Sequence, residues 1–489
     1  MLKTAKEYID SLRKRNLKLY LFGEKVADPV EHPIIRPSIN AIAMTYKLAH
    51  EAQSAMLATT PSMLDGSTVN RFNSLFQSSD DLVKKVKLQR LLGQRTACCF
   101  QRCVGMDAIN ACFSTTYEID RKYGTEYHNR FKKWLQFVQD NDLCVSGAMT
   151  DVKGDRSLAP GEQKDPDMFV HIVARNDDGI IIRGAKAHQT GVANSHEMII
   201  MPTLRIREPD KEYAIACAIP VDTKGVTMIY GRQSCDTRKL EEGDIDVGNY
   251  NFGGQEVLVI LEDVFVPWER VFMCGEYDFS IMLVERFASY HRQSYGGCKA
   301  GIGDVLIGAT ASIADYNGAR KASHVRDKIS EMIHIDETIH ACGLAASYEG
   351  HKMPAGNYQP NTLLANICKL NVTRLPYELC RIAEDIAGGL LVTMPSEKDL
   401  RHPVIGKYVD KYLRGVADVP TETRLRMLSL IHAMSFGLVA PSYRTESMHG
   451  AGSPQAQKIM IERETDMDLK QRLARSIAGI DKREEVLDS

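Results

Sequence analysis

Through most of the first 141 positions, apolar residues recur at three- and four-residue spacing, which predicts amphipathic helices. The longest such stretch, Asp80 to Tyr123, reads as one continuous helical pattern. Beyond it the period changes. MFVHIVARNDDGIIIRGAKAHQTG, HEMIIMPT, EYAIACAIPV and QEVLVILEDVFVP are short, β-branched runs punctuated by Gly, Pro and Asp-Gly. Asp178-Gly179 sits between two alternating runs and predicts a hairpin. From Tyr277 onward helical spacing returns, broken around Pro354–Pro360 and Pro395–Pro403. No repeat of solenoid period is present. Helices, then strands, then helices predict an α+β fold in three parts: an N-terminal helical domain (1–141), a central antiparallel β domain (142–275) and a C-terminal helical domain (276–489).

Composition narrows the function classes. Of 489 residues 44% are hydrophobic and 25% charged, which is ordinary for a globular chain and excludes a disordered or collagen-like one. Lys plus Arg number 61 against 63 Asp plus Glu, a net charge of −2, so bulk nucleic acid and anionic membrane find no electrostatic footprint. The opening MLKTAKEYIDSLRKRN is a charged helix without the apolar core of a secretory signal, and no run of eighteen uncharged apolar residues follows. The expected compartment is the cytoplasm.

Twelve cysteines are too sparse for a disulfide framework and read mostly as buried thiols. Two pairs have ligand spacing. On one continuous helix Cys99 and Cys103 would lie about 40° apart and one turn above each other, whereas Cys98 would lie about 140° from Cys103 and Cys112 too far along the axis. His291 and Cys298, seven apart, would share a face across two turns. The intervening Gly296-Gly297 either loosens that helix or admits another backbone. Three thiols and one imidazole suit an iron–sulfur cluster or a zinc ion, and equally two pairs of core residues. P-loop and nucleophile-elbow motifs are absent; Gly301-Ile-Gly303 lacks the third glycine of a dinucleotide fingerprint and reads as helix packing.

The segments CCFQRCVGMDA, GAMTDVKGDRSLAP, AKAHQTG, YGRQSCDTRK, FGGQEVLV, ERFASYHRQSYGGCK, AEDIAGGLLVTMPSE and YRTESMHGAGSPQAQ closely resemble the 4-hydroxybutyryl-CoA dehydratases, which are also vinylacetyl-CoA Δ-isomerases. These form a branch of the 4-hydroxyphenylacetate 3-monooxygenase family, with an acyl-CoA dehydrogenase-like fold. The likeness runs to about Gly479. It implies FAD, a [4Fe–4S] cluster on Cys99, Cys103, His291 and Cys298, and a homotetramer built as a pair of dimers. It places Met149, Thr150, Asp155, Arg156, His188, Gln189 and Thr190 along the flavin. Ile386, Ala387, Gly388, Gly389 and Leu390 match a further flavin-contacting loop offered across a subunit interface. Taken without the resemblance, the first segment is a Gly/Asp turn at a domain junction and IAGGL is close helix packing.

The implied reaction explains this equipment. In 4-hydroxybutyryl-CoA the α-hydrogens are weakly acidic and the β-hydrogen is unactivated, so a simple acid–base pair does not eliminate water to give crotonyl-CoA. One-electron oxidation of the α-enolate by flavin acidifies the β-hydrogen, and an iron with an exchangeable position binds the leaving hydroxyl. The resemblance links Glu446 and Glu256 to proton handling and puts Thr190 within reach of flavin N5 or the substrate carbonyl, while Tyr295 and Lys299, beside the Gly-Gly-Cys segment, are placed to hold the thioester or the hydroxyl. His291 is either a ligand that also serves as a base or a permanent structural ligand. Glu446 and Glu256 are either acid–base groups or ordinary ion-pair partners. A flavin monooxygenase or acyl-CoA dehydrogenase on the same scaffold would need flavin without iron, and a helical scaffold protein would need neither.

Overall fold

In the computed structural model, residues 1–231, 243–245 and 251–480 are described; most of the YGRQSCDTRK segment therefore lies outside the described residues. The N-terminal part carries the helices α1 (Ala5–Leu12), α2 (Arg36–Leu48), α3 (Ala55–Ala58), α4 (Ser79–Thr96), α5 (Cys103–Tyr123) and α6 (Tyr127–Asp140). It is not purely helical. Short strands β1 (Leu19–Leu21) and β2 (Glu24–Lys25) join the central sheet, and β3 (Thr59–Pro61) pairs with β4 (Thr68–Asn70). The predicted long helix over Asp80–Tyr123 is two helices. Ala97 ends α4 in the left-handed region (φ 50°), and Gln101 at φ 67° turns the chain again before α5 begins at Cys103. Neither residue is glycine, so the break carries no local sequence signal.

The central strands are β5 (Val145–Ala148), β6 (His171–Arg175), β7 (Gly179–Thr190), β8 (Glu197–Ile200), β9 (Ile215–Pro220), β10 (Val226–Tyr230), β11 (Glu256–Pro267) and β12 (Val271–Cys274). They form a six-stranded sheet in the order β2-β1-β10-β11-β7-β6 and a four-stranded sheet in the order β12-β9-β8-β5. The predicted hairpin at Asp178-Gly179 is present, with β6 antiparallel to β7. The sheets are mixed rather than antiparallel throughout, because β1 runs parallel to β10 and β5 parallel to β8. Along β7, buried and half-exposed positions alternate, as expected for a strand with one face on the core.

The C-terminal part is built around α7 (Ser280–Tyr316), 37 residues long, against which α8 (Ser323–Tyr348), α9 (Thr362–Val372) and α10 (Leu375–Ala387) pack, together with α4 and α5 from the first part. Gly296-Gly297 does not interrupt α7. A Cβ on Gly296 would stand 2.5 Å from the Cα of Gly343, and one on Gly297 2.3 Å from the Val86 carbonyl oxygen. These glycines serve close backbone approach, as does Gly301, whose Cβ would meet the Arg90 carbonyl oxygen at 2.1 Å.

Candidate active site

One cavity is lined by Cys99, Phe100, Cys103, His291, Ser294, Tyr295, Cys298, Lys299, Ile302 and Glu446. The four ligand residues named from the sequence thus meet, although not by the route that helical spacing suggested. Cys99 lies in the 97–102 connector and Cys103 is the first residue of α5. Gln101 fixes this connector: its Nε2 donates to the carbonyls of Ser38 (2.9 Å) and Gly253 (3.0 Å), and its Oε1 accepts from Asn194 (3.2 Å). Cys98 does not line the cavity but is buried in the core cluster that also holds Tyr295 and Ile302, so its exclusion holds for a different reason. Cys112 is buried against Met201.

His291 and Cys298 project from α7. The Nδ1 of His291 donates to Asp107 Oδ2 at 2.8 Å, which in a neutral ring leaves the Nε2 lone pair free for a metal or a proton. Asp107 is fully buried; its Oδ1 accepts from Lys85 Nζ (2.6 Å), and Oδ2 also accepts from Ser294 (3.1 Å). Lys85 completes its contacts with the Tyr290 carbonyl (2.8 Å) and Gln293 (3.1 Å). The His291 ring stacks on Phe287 and meets Tyr295 edge to face.

Burial pushes the thiols of Cys99 and Cys103 well above the ordinary range and that of Cys298 to about 11, so a bound metal would displace their protons. Their donor atoms do not close on a single point. Among the described residues, only Asp304, Asp336 and Glu337 bring three ligand atoms within 4.8 Å of one another. A tetrahedral zinc draws its donors to about 2.0–2.3 Å from one centre. As placed, the set therefore does not match a mononuclear ion.

Against this wall stands Glu446, at the start of the short helix Glu446–His449. Tyr295 Oη donates to its Oε1 at 2.5 Å, and Lys299 Nζ donates to its Oε2 and to the Ser442 carbonyl (2.5 Å). Burial opposes ionisation of Glu446, but the Lys299 charge and these hydrogen bonds outweigh it and hold its carboxyl below the usual range. Glu256 opens β11 directly opposite Thr190 at the end of β7, and Thr190 Oγ1 donates to it at 3.1 Å. Burial, reinforced by the Glu446 charge, pushes its carboxyl up to about 7.

Glu256 and Thr190 are not among the residues lining this cavity, and the remaining expected residues also lie outside it. Met149 and Thr150 follow β5. The Met149 carbonyl accepts from Lys186 (2.9 Å), and that of Thr150 from Gln189 (2.8 Å) and the Ala187 amide (2.9 Å). This joins the Met149–Arg156 segment to His188–Thr190. Asp155 and Arg156 are exposed, Asp155 accepting from Ser157. His188 has φ 55°; partial desolvation of its ring, with Lys153 and His449 nearby, lowers its pKa although the residue is largely exposed. Ile386 to Leu390 turn the end of α10, with Gly388 at φ 76°; a Cβ on Gly388 or Gly389 would meet nothing within 4 Å. Gly388 and Gly389 are therefore not at a close helix contact within this chain, whereas Ile386, Ala387 and Leu390 pack into the helical core. Asp107, Lys85 and Lys369 were not anticipated from the sequence. Asp107, four residues after Cys103 on a helix otherwise buried on that side, carried the signal that would have found it.

Helices on either side of two central sheets in the chain order, with a long C-terminal helix packed by its neighbours, define the acyl-CoA dehydrogenase-like fold. At the level of fold alone the chain superposes on glutaryl-coenzyme A dehydrogenase, with TM-score 0.51 and 13% identity, over 92% of this chain and 96% of that one. The chain belongs to the 4-hydroxyphenylacetate 3-hydroxylase family, matching its N-terminal model over residues 4–273 and its C-terminal model over 281–479. Within that family it is 61% identical to the 4-hydroxybutyryl-CoA dehydratase/vinylacetyl-CoA-Δ-isomerase of Clostridium aminobutyricum, over 98% of this chain and all of the relative. It is 27% identical to the 4-hydroxyphenylacetate 3-monooxygenase oxygenase component of Thermus thermophilus, over 85% of each chain. Among solved structures, the oxygen-tolerant archaeal 4-hydroxybutyryl-CoA dehydratase from N. maritimus superposes with TM-score 0.96 at 58% identity, over 99% of this chain and 96% of that one. No helix among the described residues is long and apolar enough to cross a membrane.

Proposed function

We propose that the chain is a 4-hydroxybutyryl-CoA dehydratase, converting 4-hydroxybutyryl-CoA to crotonyl-CoA and water and isomerising vinylacetyl-CoA. The observation that carries this reading is the cavity in which Cys99, Cys103, His291 and Cys298 meet the Glu446–Lys299–Tyr295 group. The 61% identity over the full length of a relative bearing that name supports it. The four donors, three thiols and one imidazole lining one cavity, would hold a [4Fe–4S] cluster. FAD would lie along Met149, Thr150, Asp155, Arg156 and His188–Thr190, with Ile386–Leu390 contributed by a partner subunit; the open surface around Gly388 and Gly389 supports this. The assembly in this reading is a homotetramer, a pair of dimers, in the cytoplasm, each chain divided at about 141 and 275.

When bound, the flavin supplies reversible one-electron oxidation of the α-enolate and the cluster supplies a Lewis-acidic iron for the leaving hydroxyl. The chain's own residues do the rest. Glu446 is kept ionised by Lys299 and Tyr295 and faces the cavity, where it takes or returns a substrate proton. Glu256, poised near 7, exchanges a proton readily at neutral pH, and Thr190 fixes its orientation. His291 would hold the cluster through Nε2, and free of it the same nitrogen would serve as a base in the cavity; Asp107 holds Nδ1 in either case. The test is anaerobic purification with iron, sulfide and flavin assays, followed by turnover of 4-hydroxybutyryl-CoA. Crotonyl-CoA from a protein with about four irons and one FAD per chain is expected. Flavin without iron, or full cofactors without product, would overturn the assignment.

A further inference from the structure

Lys369 is fully buried on α9, next to the site but outside the groups used above. A buried ammonium is expensive to desolvate, and such a lysine normally has a full set of partners. This one donates to the carbonyl of Ser447, and its Nζ lies 4.4 Å from the centre of the Tyr295 ring. Both contacts lead to Glu446. Ser447 is the next residue on the helix that Glu446 opens, and Tyr295 is the phenol whose Oη bonds Glu446 Oε1. Gly450 completes the arrangement: a Cβ there would stand 2.3 Å from Tyr295 Oη and 2.7 Å from Glu446 Oε1, so only glycine leaves room for the phenol and the carboxylate to meet.

We propose that Lys369 is a positioning residue for Glu446: seated on the Tyr295 face and the Ser447 carbonyl, its ammonium holds the carboxylate and its helix against the cavity. The charged and titratable groups around it are Glu446, Lys299, Arg292 and Cys368, with the Tyr295 ring between. Burial lowers its pKa to about 7, and Glu446 opposes that drop. The division of labour follows from geometry. Lys299 lines the cavity, where it bonds Glu446 Oε2 and the Ser442 carbonyl and can meet a substrate, whereas Lys369 does not line it and sits against the Tyr295 ring. Lys369 is thus the cation that bears on Glu446 from outside the cavity. The ring face between them transmits this through a cation–π contact, which grows stronger where water is excluded.

This inference rests on the dehydratase reading for its kinetic arm and not for its structural arm. The experiment compares the holoenzyme with Lys369→Met and Lys369→Arg by crystallography, iron and flavin content, and kcat and KM on 4-hydroxybutyryl-CoA. The Met variant is expected to keep both cofactors and its KM, to lose the Tyr295–Glu446 hydrogen bond, and to drop in kcat by roughly 10–100-fold, the cost of a misplaced catalytic group. The Arg variant restores the bond and part of the rate. An unchanged bond and kcat in Lys369→Met would overturn the proposal, as would loss of iron in step with kcat, which marks a purely structural lysine. If the Met variant does not fold, Lys369→Gln is read in the same way. A wild-type holoenzyme that makes no crotonyl-CoA defeats the dehydratase reading, while the crystallographic comparison still decides the role of Lys369.

Discussion

Asp107→Asn removes one oxygen from a carboxylate whose two oxygens have different obligations. Oδ1 takes the Lys85 ammonium at 2.6 Å and Oδ2 takes His291 Nδ1 at 2.8 Å, and all three side chains are buried. An asparagine offers one acceptor and one donor, so one partner must lose. If the amide NH2 faces Lys85, two donors oppose each other and a buried ammonium loses its counter-ion, which costs about 3–5 kcal/mol. If it faces His291, Nδ1 must accept, the proton moves to Nε2, and the nitrogen turned to the cavity has no lone pair to give iron. Either way an isosteric change is severe: the first branch lowers Tm by several degrees, the second lowers iron occupancy on the 10–100-fold scale of metal-site supporting residues. Thermal unfolding with an iron and sulfide assay separates the branches. The double variant Lys85→Met/Asp107→Leu removes the charge pair as a unit, so it is expected to recover most of the stability while iron binding stays impaired. An Asp107→Asn protein with unchanged Tm, iron and turnover would refute the reasoning.

Replacing His291 by Cys keeps four donors around the cavity and removes the only one able to leave as a base. Retained iron with lost turnover is expected, and full activity would show that His291 is a static ligand. Glu256→Gln should abolish the limb of the pH–rate profile near 7. It also has a stability signature. Because the folded carboxyl titrates above its unfolded value of 4.5, protonated Glu256 is the favoured buried form, and that stability is lost as pH rises toward 7. The Gln variant should therefore match wild type near pH 4.5 and gain on it by up to about 3 kcal/mol above pH 7; parallel Tm curves across that range would contradict the assignment.

What could be read in the sequence divides by range. The hairpin at Asp178-Gly179 and the bulk of each helix are local decisions, made by turn chemistry and by period, and they are present as expected. The pairing of β1 with β10 joins residues 19–20 to 228–229, and nothing in either short strand announces the other. The helix break at Ala97–Arg102 is a third kind. Small and apolar residues keep helical spacing across it, yet Gln101 takes a left-handed conformation because three carbonyls and Asn194 anchor its side chain. Tertiary bonds override local preference there, so Cys99 and Cys103 reach the same cavity without sharing a helix. Lys369 is a single charge on its helix and Lys85 one of a basic run with Lys84 and Lys87, and each reads as part of a solvated edge until its partners on other helices are known.

The glycines of α7 set a mechanical boundary on the site. Where Gly296, Gly297 and Gly301 meet Gly343, Val86 and Arg90, main chain touches main chain, and no side chain lies between to be rearranged. His291, Cys298 and Lys299 therefore ride on a fixed jig whose dimensions cannot be tuned by swapping rotamers. The facing wall is of another kind: a six-residue connector carrying Cys99 and a four-residue helix carrying Glu446, each held by a handful of hydrogen bonds. Accommodation of a thioester, and of any change in its chain length, is thereby delegated to one side of the cavity while the other serves as its datum.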